Sequence, residues 1–461
     1  MAPADDIRQT LYAKREKIYP RQVHGWFATL RVSAVFALLG LFYILCWLRW
    51  DGRQLLLFDL PGRKFHIFWA TFYPQDFLYL TFLLILAALA LFFFTALAGR
   101  LWCGYACPQT VYTELFLWIE RRIEGDRSKQ QKLDKAPWNA RKWLIKGSKH
   151  AVWGLFSLWT GFTFVGYFTP ILDLGREVMS LSLGPWETFW ILFYGFATYG
   201  NAGWMREQVC IYMCPYARFQ SAMFDNDTLV ISYDQQRGEP RGGRKRGPEY
   251  KARGLGDCVD CTMCVQVCPT GIDIRDGLQY QCIACAACVD VCDSVMEKVG
   301  YEKGLIRYTT ENAVAGKTSR VLRPRMIVYA VLLAVLVALF GVSLGMRTPL
   351  QLDVLRDRNA LYRETGDGLI ENVYTLKLIN MDDRPHRYRI SVSGIDGLKL
   401  SLDGGDSLIR SGAVASIAAR VSVDPVKLHQ PGNTIVFAIV ARDDPKLAAS
   451  EKARFLGPRG P

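Results

Sequence analysis

The stretch Cys258-Val-Asp-Cys261-Thr-Met-Cys264-Val-Gln-Val-Cys268-Pro269 decides how this chain folds. Thirteen residues after Cys268 it begins again as Cys282-Ile-Ala-Cys285-Ala-Ala-Cys288-Val-Asp-Val-Cys292. Both runs have the spacing C-x2-C-x2-C-x3-C of bacterial two-cluster ferredoxins, in which the fourth cysteine of each run binds the other cluster. We therefore predict two 4Fe-4S clusters with crossed ligands. One is held by Cys258, Cys261, Cys264 and Cys292, and the other by Cys282, Cys285, Cys288 and Cys268.

Structural zinc is the alternative, because paired C-x2-C knuckles also bind zinc. A zinc ribbon usually has two pairs separated by a long spacer, whereas here four thiols recur within eleven residues, twice. The spacing therefore favours iron–sulfur clusters, and the short x2 spacings are expected to wrap backbone amides around the sulfurs. The second run differs in one respect, since Asp293 stands where the first run has Pro269.

Composition indicates a membrane protein of two or three domains. The chain has 461 residues, of which 51% are hydrophobic, and its mean hydropathy is +0.09. A net charge of +13 is compatible with nucleic acid, but the Lys and Arg lie beside apolar segments, which fits membrane topology better and argues against a nucleic-acid partner. Cluster thiolates must stay reduced, which places the cysteine runs in the cytoplasm.

Five apolar runs predict a five-helix transmembrane bundle with membrane lipid around it. They are Val32–Leu48, read as an uncleaved anchor, then Phe77–Ala98, Ala151–Phe168, a weaker Trp186–Trp204, and Met326–Met346. The segment from Arg100 to Lys149 is rich in Lys and Arg, whereas 169–185 holds only Arg176. By the positive-inside rule, the amino terminus and the cysteine runs are predicted inside and the carboxyl tail outside. The outer loop 49–74 mildly disagrees with this rule, since it carries Arg and Lys.

The chain past Arg347 changes character. Short alternating runs, including Val373–Ile379, Arg387–Val392, Val414–Val423 and Thr434–Val440, predict an antiparallel β-sandwich without cysteine. The domain plan is 1–31, a cytoplasmic segment; 32–206, spans one to four with a basic loop; 207–257, a second cysteine motif and a basic linker; 258–325, a ferredoxin-like α+β insert; 326–346, span five; and 347–461, an all-β immunoglobulin-like sandwich. The linker, with Arg244, Lys245 and Arg246, is interpreted as a solvated tether.

Four further cysteines form two C-x3-C-P motifs where an apolar run meets the cytoplasm. They are Cys103 and Cys107 before Pro108, and Cys210 and Cys214 before Pro215. Proline suits the first position of a helix, so Cys107 and Cys214 are predicted near the caps of Pro108–Ile123 and Pro215–Phe224, where a helix amino terminus favours thiolate. Alternate spans end on the same side, so the four thiols are expected to meet beside the clusters. They could bind copper as Cu(I), or form redox-active disulfides.

The remaining cysteine and the histidines are predicted to be nonfunctional. Cys46 lies in the first span and is interpreted as a packing residue. The alternative functional role is low-affinity contact with a metal. The histidines are His24, His66 and His150 near predicted interfaces, and His386 and His429 in the sandwich, with His66 the one to test.

Several stretches resemble the CcoG (FixG/RdxA) family of cytochrome c oxidase accessory proteins. They are Gly99-Arg-Leu-Trp-Cys-Gly-Tyr-Ala-Cys-Pro-Gln-Thr110, Glu207-Gln-Val-Cys-Ile-Tyr-Met-Cys-Pro-Tyr-Ala-Arg-Phe-Gln220, the two cysteine runs, and Arg356-Asp-Arg-Asn-Ala-Leu-Tyr-Arg363. The resemblance covers nearly the whole chain. It implies a bacterial inner-membrane protein with a periplasmic immunoglobulin-like tail that reduces Cu(II) to Cu(I) during assembly of cbb3-type cytochrome c oxidase. The C-x3-C-P pairs alone also occur in related membrane polyferredoxins.

Three functions follow as hypotheses. In the first, the chain is an enzyme that reduces copper at Cys103, Cys107, Cys210 and Cys214, with assembly factors or copper carriers as partners. In the second, it is an electron-transfer subunit that oxidises quinol and has no copper role. In the third, it is a nonenzymatic scaffold for oxidase assembly. No dinucleotide-binding fingerprint is present, so the sequence leaves the electron donor open.

Overall fold

The computed structural model describes residues 17–50, 52–243, 254–357, 360–404, 408–428 and 430–458. The chain divides into two units, each assembled from two separate segments. The cysteine-rich unit is Met1–Leu48 with Leu84–Val335, and the sandwich unit is Arg49–Leu83 with Leu336–Pro461. The basic linker residues Arg244, Lys245 and Arg246, and also His429, lie outside the described residues.

Helices dominate the cysteine-rich unit. In chain order the helices are α1 Trp26–Leu45, α2 Phe77–Ala98, α3 Leu101–Tyr105, α4 Pro108–Glu124, α5 Arg127–Lys135, α6 Ala140–Val165, α7 Ile171–Met179, α8 Pro185–Thr198, α9 Pro215–Met223, α10 Gln235–Gly238, α11 Met263–Gln266, α12 Ala287–Val299, α13 Glu311–Val314 and α14 Pro324–Gly345. Two π-helical turns, Tyr199–Met205 and Val209–Met213, lie between α8 and α9.

Among the described residues, three segments are long and apolar enough to cross a membrane. They are Trp26–Leu45, Pro74–Ala98 and Pro324–Gly345, with mean hydropathies of 2.0, 2.7 and 2.8. They correspond to the first, second and fifth predicted spans. The third predicted span lies in α6, whose first turns are basic, and the fourth lies in α8, which has 14 residues before the backbone passes into a π-helical turn. The chain is thus a membrane protein, and the five-span topology stays a prediction.

Helices α6 and α8 pack closely through glycine. A Cβ added to Gly161 would collide with the Ile191 carbonyl oxygen, and one added to Gly195 would lie 3.4 Å from the Ser157 carbonyl oxygen. The rings of Phe164 and Tyr194 lie 3.8 Å apart between their centroids. Small residues that let two backbones approach are typical of helix pairs in membranes.

A buried ion network joins α4 and α6. Glu120 is fully buried and contacts Arg206 at 2.8 Å and Lys149 at 3.3 Å, while Glu124 contacts Lys149 at 2.8 Å and Lys146 at 2.9 Å. Burial alone would raise the pKa of Glu120, but the surrounding cations outweigh it and hold the pKa at about 2. Several lysines of the basic loop are therefore neutralised internally, which composition could not reveal.

Strands β6 Val230–Tyr233 and β7 Ile306–Thr309 bracket the two cysteine runs. They pair antiparallel, with Val230 opposite Thr309 and Tyr233 opposite Ile306. Ile231 of β6, Ile306 of β7 and Met296 of α12 belong to one buried apolar core that also includes cysteines of the first run and has cysteines of the second run packed against it. The two strands and two helices agree with the predicted α+β insert.

The sandwich unit contains two antiparallel sheets that share one apolar core. The strands are β8 Leu350–Arg356, β9 Arg363–Glu364, β10 Ile370–Asn380, β11 Tyr388–Ser393, β12 Lys399–Asp403, β13 Val414–Val423, β14 Gly432–Ala441 and β15 Ala448–Leu456. One sheet has the order β12-β13-β10-β8 with β9 beside β10, and the other has the order β11-β14-β15. Tyr374 and Phe437, one from each sheet, lie 5.1 Å apart between ring centroids. The predicted sandwich is confirmed.

The loop between α1 and α2 also folds as part of the sandwich unit. Its strands are β1 Arg49–Trp50, β2 Arg53–Gln54, β3 Leu56–Asp59, β4 Lys64–Ile67 and β5 Ala70–Phe72, of which β3-β4-β5 form one sheet. The Lys64 ammonium donates to the Ser411 carbonyl at 3.3 Å, and the Thr71 hydroxyl donates to Asp383 at 3.1 Å. Some of the basic residues that disagreed with the positive-inside rule are thus structural.

Candidate metal centres

The two cysteine runs have the same unusual backbone. In the first run Asp260 and Thr262 have φ of 52° and 54°, and in the second run Ala284 and Ala286 have φ of 56° and 57°. These residues flank the second cysteine of each run, Cys261 or Cys285, on both sides. Left-handed conformations at non-glycine residues are uncommon and cluster at functional sites. Their repetition at equivalent positions gives each run the tight winding that the x2 spacings predict.

The cysteines gather around two small cavities. One is lined by Cys258, Cys261, Cys264 and Cys292. The other is lined by Cys282, Cys285 and Cys288 of the second run together with Cys264 and Cys268 of the first run. Each cavity therefore brings three thiols of one run together with at least one thiol of the other run.

The donor set of these cavities fits iron–sulfur clusters. Burial raises the pKa of Cys264 to about 11 and that of Cys292 to about 12, and burial likewise raises the pKa of Cys282 to about 12. A buried thiol binds metal as the thiolate, so it needs the positive charge of a metal to compensate it. Apolar side chains such as Ile274, Ile283 and Met296 complete the walls.

The charged groups around the two runs differ. Arg275, beside the first run, donates to Asp273 and Asp260, each at 2.6 Å. Beside the second run, Arg31 donates to the Cys285 carbonyl and Arg100 donates to the carbonyls of Tyr280 and Cys282, the last at 3.3 Å. In the described part of the chain neither of these two guanidinium groups forms an ion pair, so both leave net positive charge beside the second run.

The two C-x3-C-P motifs adopt one local geometry. The Cys107 amide donates to the Trp102 carbonyl and the Cys214 amide donates to the Val209 carbonyl, in both cases five residues back, at 2.9 and 2.8 Å. Cys107 and Cys214 are then the N-caps of α4 and α9, with proline at the first helical position. The structure therefore places both residues at helix caps, where the sequence predicted them.

The first motif touches the second cysteine run directly. A Cβ added to Gly104 would lie 2.8 Å from the Ala284 carbonyl oxygen and 2.9 Å from that of Ile283. Only glycine allows this approach. The Ala284 carbonyl also accepts from the Tyr308 hydroxyl at 2.6 Å, and Tyr308 contacts Tyr105 of the motif at 3.3 Å between their hydroxyl oxygens. Cys103 and its neighbours thus lie against the second run.

Arg100 lies among the motif thiols. Its guanidinium interacts electrostatically with Cys103, Cys210, Cys214 and Cys282, and burial lowers its pKa. Its Nε is buried and has no hydrogen-bond acceptor among the described residues. Burial raises the pKa of Cys103 to about 12 and that of Cys210 to about 11, which disfavours the thiolate at these two cysteines. The thiolate state predicted for Cys107 and Cys214 at the helix caps stays a prediction.

The four motif thiols do not converge on a single point. Cys103 Sγ donates to Gln220 Oε1 at 3.3 Å. Among the residues that the structure describes, no three His, Cys, Asp or Glu side chains lie as the ligands of one metal ion. The neighbourhood of Cys103, Cys107, Cys210 and Cys214 is therefore formed, whereas a single-ion site is not.

The remaining predicted residues have structural surroundings. Cys46 is fully buried with Sγ 3.6 Å from the Tyr43 carbonyl oxygen, in keeping with packing. His66 Nδ1 lies 3.0 Å from the Thr71 hydroxyl, His150 Nδ1 lies 2.8 Å from the Tyr199 hydroxyl, and His386 contacts Asp382 and Asp443. His24 lines a large cavity described below. No special signal in the sequence marks Arg31, Arg100 or the left-handed residues.

Three family models match the chain. Residues 205–311 match a 4Fe-4S dicluster domain, residues 80–125 match a 4Fe-4S binding domain, and residues 340–458 match the IG-like fold at the C-terminal of FixG. The first covers the eight cysteines of the two runs, and the second contains Cys103 and Cys107. The matches agree with an iron–sulfur module followed by an immunoglobulin-like domain.

Relatives match over most of their length. Protein RdxA of Cereibacter sphaeroides is 42% identical over 418 residues, which cover 87% of each chain. Nitrogen fixation protein FixG of Rhizobium meliloti is 38% identical over 437 residues, covering 86% of this chain and 83% of that protein. The crystal structure of a FixG-related protein from Vibrio parahaemolyticus is 28% identical, covers 23% of this chain and 95% of that chain, and has a TM-score of 0.22.

Proposed function

The chain belongs to the FixG/RdxA family of iron–sulfur redox proteins, and on that premise we propose that it reduces Cu(II) to Cu(I) for assembly of a cbb3-type cytochrome c oxidase. One observation carries the proposal. Two C-x3-C-P motifs with the same backbone geometry bring three of their thiols, Cys103, Cys210 and Cys214, around Arg100, and Gly104 holds one motif against the second cysteine run. A thiol group in contact with an iron–sulfur module suits the reduction of a soft metal.

The cluster ligands are proposed to be crossed. Cys258, Cys261, Cys264 and Cys292 would hold the first cluster, and Cys282, Cys285, Cys288 and Cys268 would hold the second. The two cavities support this assignment because the four proposed ligands of each cluster line one cavity, although Cys264 lines both cavities. When bound, such clusters supply one-electron transfer.

Copper is the substrate of the motif thiols in this proposal. Cys103, Cys107, Cys210 and Cys214 are soft ligands that prefer Cu(I) to Cu(II), so binding of the product favours its formation. Arg100 stabilises thiolates by its charge, against the burial that raises the pKa of Cys103 and Cys210. Because the thiols do not converge, we propose that copper binds to a subset of them or draws them together.

The proposed location is the bacterial inner membrane. We propose that the amino terminus and the cysteine runs lie in the cytoplasm and that the sandwich lies in the periplasm, since cluster thiols need a reducing compartment. Oxidase assembly factors or copper carriers are the proposed partners.

The test measures Cu(II) reduction by the full-length protein after chemical reduction of its clusters. Replacing Cys103, Cys107, Cys210 and Cys214 together with Ser is expected to abolish formation of Cu(I), trapped with a chromogenic chelator, while visible cluster absorbance is retained. Cys46→Ser is the matched control and should keep full activity. Undiminished copper reduction by the four-serine variant would contradict the proposal.

A third iron–sulfur cluster at the four motif thiols is the second candidate. The observation that favours it is the match of residues 80–125 to a 4Fe-4S binding domain, although that segment contains only Cys103 and Cys107. Cys210 and Cys214 would complete the ligand set. This candidate predicts that the four-serine variant loses iron and acid-labile sulfide, whereas the copper proposal predicts unchanged iron content.

A further inference from the structure

A cavity of about 520 Å³ lies in the cysteine-rich unit between α1, α4 and the second cysteine run. Its volume falls within the range of about 300 to 1,000 Å³ that is typical of small-molecule sites. Cys285 lines one wall, and Cys210 of the second motif lines another. The cavity is therefore in contact both with a cysteine of the second run and with a motif thiol.

The lining of the cavity changes from polar to apolar along α1. Near the start of α1 it includes His24, Arg31 and, from α4, Glu114. Further along α1 it includes Val35 and Leu39 and the exposed Phe36, whose side chain is 74% accessible. The apolar end of the cavity therefore follows a helix that is long and apolar enough to cross a membrane.

The cavity wall beside the second cysteine run is formed by the amino end of α1, which is capped by a residue of that run. Asp290, between two cysteines of the second run, accepts from the amides of Ala28 at 2.7 Å and Phe27 at 3.1 Å, and so caps α1. A Cβ at Gly25 would collide with the Asp290 carboxylate, so the cap requires glycine there. The amino end of α1 is therefore fixed against the helix that carries Cys288 and Cys292, and the cavity keeps its position beside Cys285.

We propose that this cavity binds a membrane quinol and that the quinol is the electron donor. An isoprenoid hydroquinone has a polar redox ring and an apolar tail, which match the polar and apolar ends of the lining. Phospholipid would also suit a basic mouth beside an apolar groove. The cysteine walls favour the quinol, because a lipid that serves only as a structural ligand needs no contact with redox groups.

The chemistry balances with the groups present. Oxidation of one hydroquinone breaks its two O–H bonds, forms the quinone, and releases two protons and two electrons. His24 and Glu114 line the polar end and accept the protons. The two iron–sulfur clusters that the eight cysteines of the runs would hold would supply a one-electron acceptor each. This inference deepens the proposed function by naming its donor, and it rests on that function only for the presence of clusters.

The positive charge of Arg31 and Arg100 suits this role. Ferredoxin-type clusters often have potentials far below those of quinols, and the accessible range is wide. Cations beside a cluster stabilise its reduced, more negative state and so raise its potential. Arg31 donates to the Cys285 carbonyl and also lines the cavity. The second cluster is thus the better acceptor for a quinol.

The experiment uses the full-length protein with its clusters, in lipid nanodiscs without oxygen. Val35→Trp fills the apolar end of the cavity, and Val337→Trp places the same side chain on the exposed face of α14 as a control. A water-soluble ubiquinol analogue with a short tail is added, and reduction of the clusters is followed by EPR. Reduction should be at least tenfold slower in Val35→Trp than in the control. Dithionite should reduce the clusters equally in both variants.

Binding is measured independently with an azidoquinone photolabel. Labelling of peptides 26–39 and 109–121, reduced in Val35→Trp but not in Val337→Trp, supports the proposal. Equal labelling in both variants, or a tightly bound phospholipid that excess quinone does not displace, overturns it. Copper reduction after dithionite treatment separates this result from the proposed function, because that assay needs no quinol.

Discussion

The two cysteine runs have the same spacing and left-handed residues at the same positions, yet the cations beside them are paired differently. The first run has Asp260 and Asp273, and its cation Arg275 is paired with both. The second run has Arg31 and Arg100, which bond to backbone carbonyls instead. The comparison teaches that the motif selects the cofactor, whereas residues outside the motif set its potential. We expect the second cluster to take the first electron.

The largest expected effect comes from replacing the fourth cysteine of each run with serine. Cys268→Ser should remove the higher-potential cluster although Cys268 belongs to the first run, and Cys292→Ser should remove the lower-potential cluster. The reason is the crossed grouping of thiols around the two cavities. EPR-monitored redox titration measures which couple survives. If each variant instead lost the cluster of its own run, the crossed assignment would be wrong.

The next effect tests the position at which the runs differ in sequence. Asp293 lies inside α12 and accepts from the Gly304 amide at 2.8 Å, whereas Pro269 follows the short α11. Proline inside a helix costs about 3 kcal/mol or more and displaces the residue before it, here Cys292. Asp293→Pro should therefore lower the guanidinium midpoint for loss of cluster absorbance sharply.

The control for that substitution is Asp293→Asn, which keeps the helix. It should lower the free energy of unfolding by about 1 kcal/mol or less, and so shift the midpoint only slightly. The reverse change in the first run, Pro269→Asp, should also be mild, since α11 has already ended there. A mild effect of Asp293→Pro would show that the continued helix is not needed to position Cys292.

Arg100→Gln tests the charge difference itself. Loss of the buried cation should lower the potential of the second cluster by roughly 60 mV, a tenfold change for a one-electron couple, and leave the first cluster nearly unchanged. Arg100→Lys keeps the charge and should preserve most of the potential. Redox titration of both variants measures the shift. Equal shifts of both clusters would remove the basis of the comparison.

The smallest expected effect concerns backbone strain. A left-handed conformation costs about 1–2 kcal/mol at an ordinary residue, and a β-branched residue tolerates it least. Thr262→Gly in the first run should therefore raise the guanidinium midpoint for cluster loss more than Ala286→Gly in the second run. Asp260→Gly should gain less, because aspartate tolerates this conformation better and because the substitution also removes the ion pair with Arg275. A lower midpoint in all three variants would exclude strain as the explanation.

Much of this architecture could be predicted because it depends on local pattern. The bounds of α2 and β13 agree with the predicted Phe77–Ala98 and Val414–Val423, since apolar runs and strict alternation specify them directly. Helix α1 begins at Trp26 rather than Val32, because Asp290, far along the chain, supplies its cap. A cap provided by tertiary contact has no local signature.

The candidate site follows the same rule: its short-range features could be predicted from the sequence, and its long-range contacts could not. Cysteine spacing predicted the cluster ligands and located the twin motifs, because both depend on short-range geometry. Arg100, the contact of Gly104 with Ala284, and the cavity beside Cys285 depend on segments far apart in sequence. The basic loop was interpreted from composition alone, and its partners Glu120 and Glu124 became evident only from the packing of α4 against α6.

The loop that folds with the sandwich has a consequence for biogenesis. Lys64 bonds to Ser411 and Thr71 to Asp383, across sequence separations of 347 and 312 residues. At a synthesis rate of about 5–20 residues per second, those early strands wait roughly 15 to 70 s for their partners to leave the ribosome. A truncated chain would leave them permanently unpartnered, and so offer quality-control proteases a mark of incomplete translation.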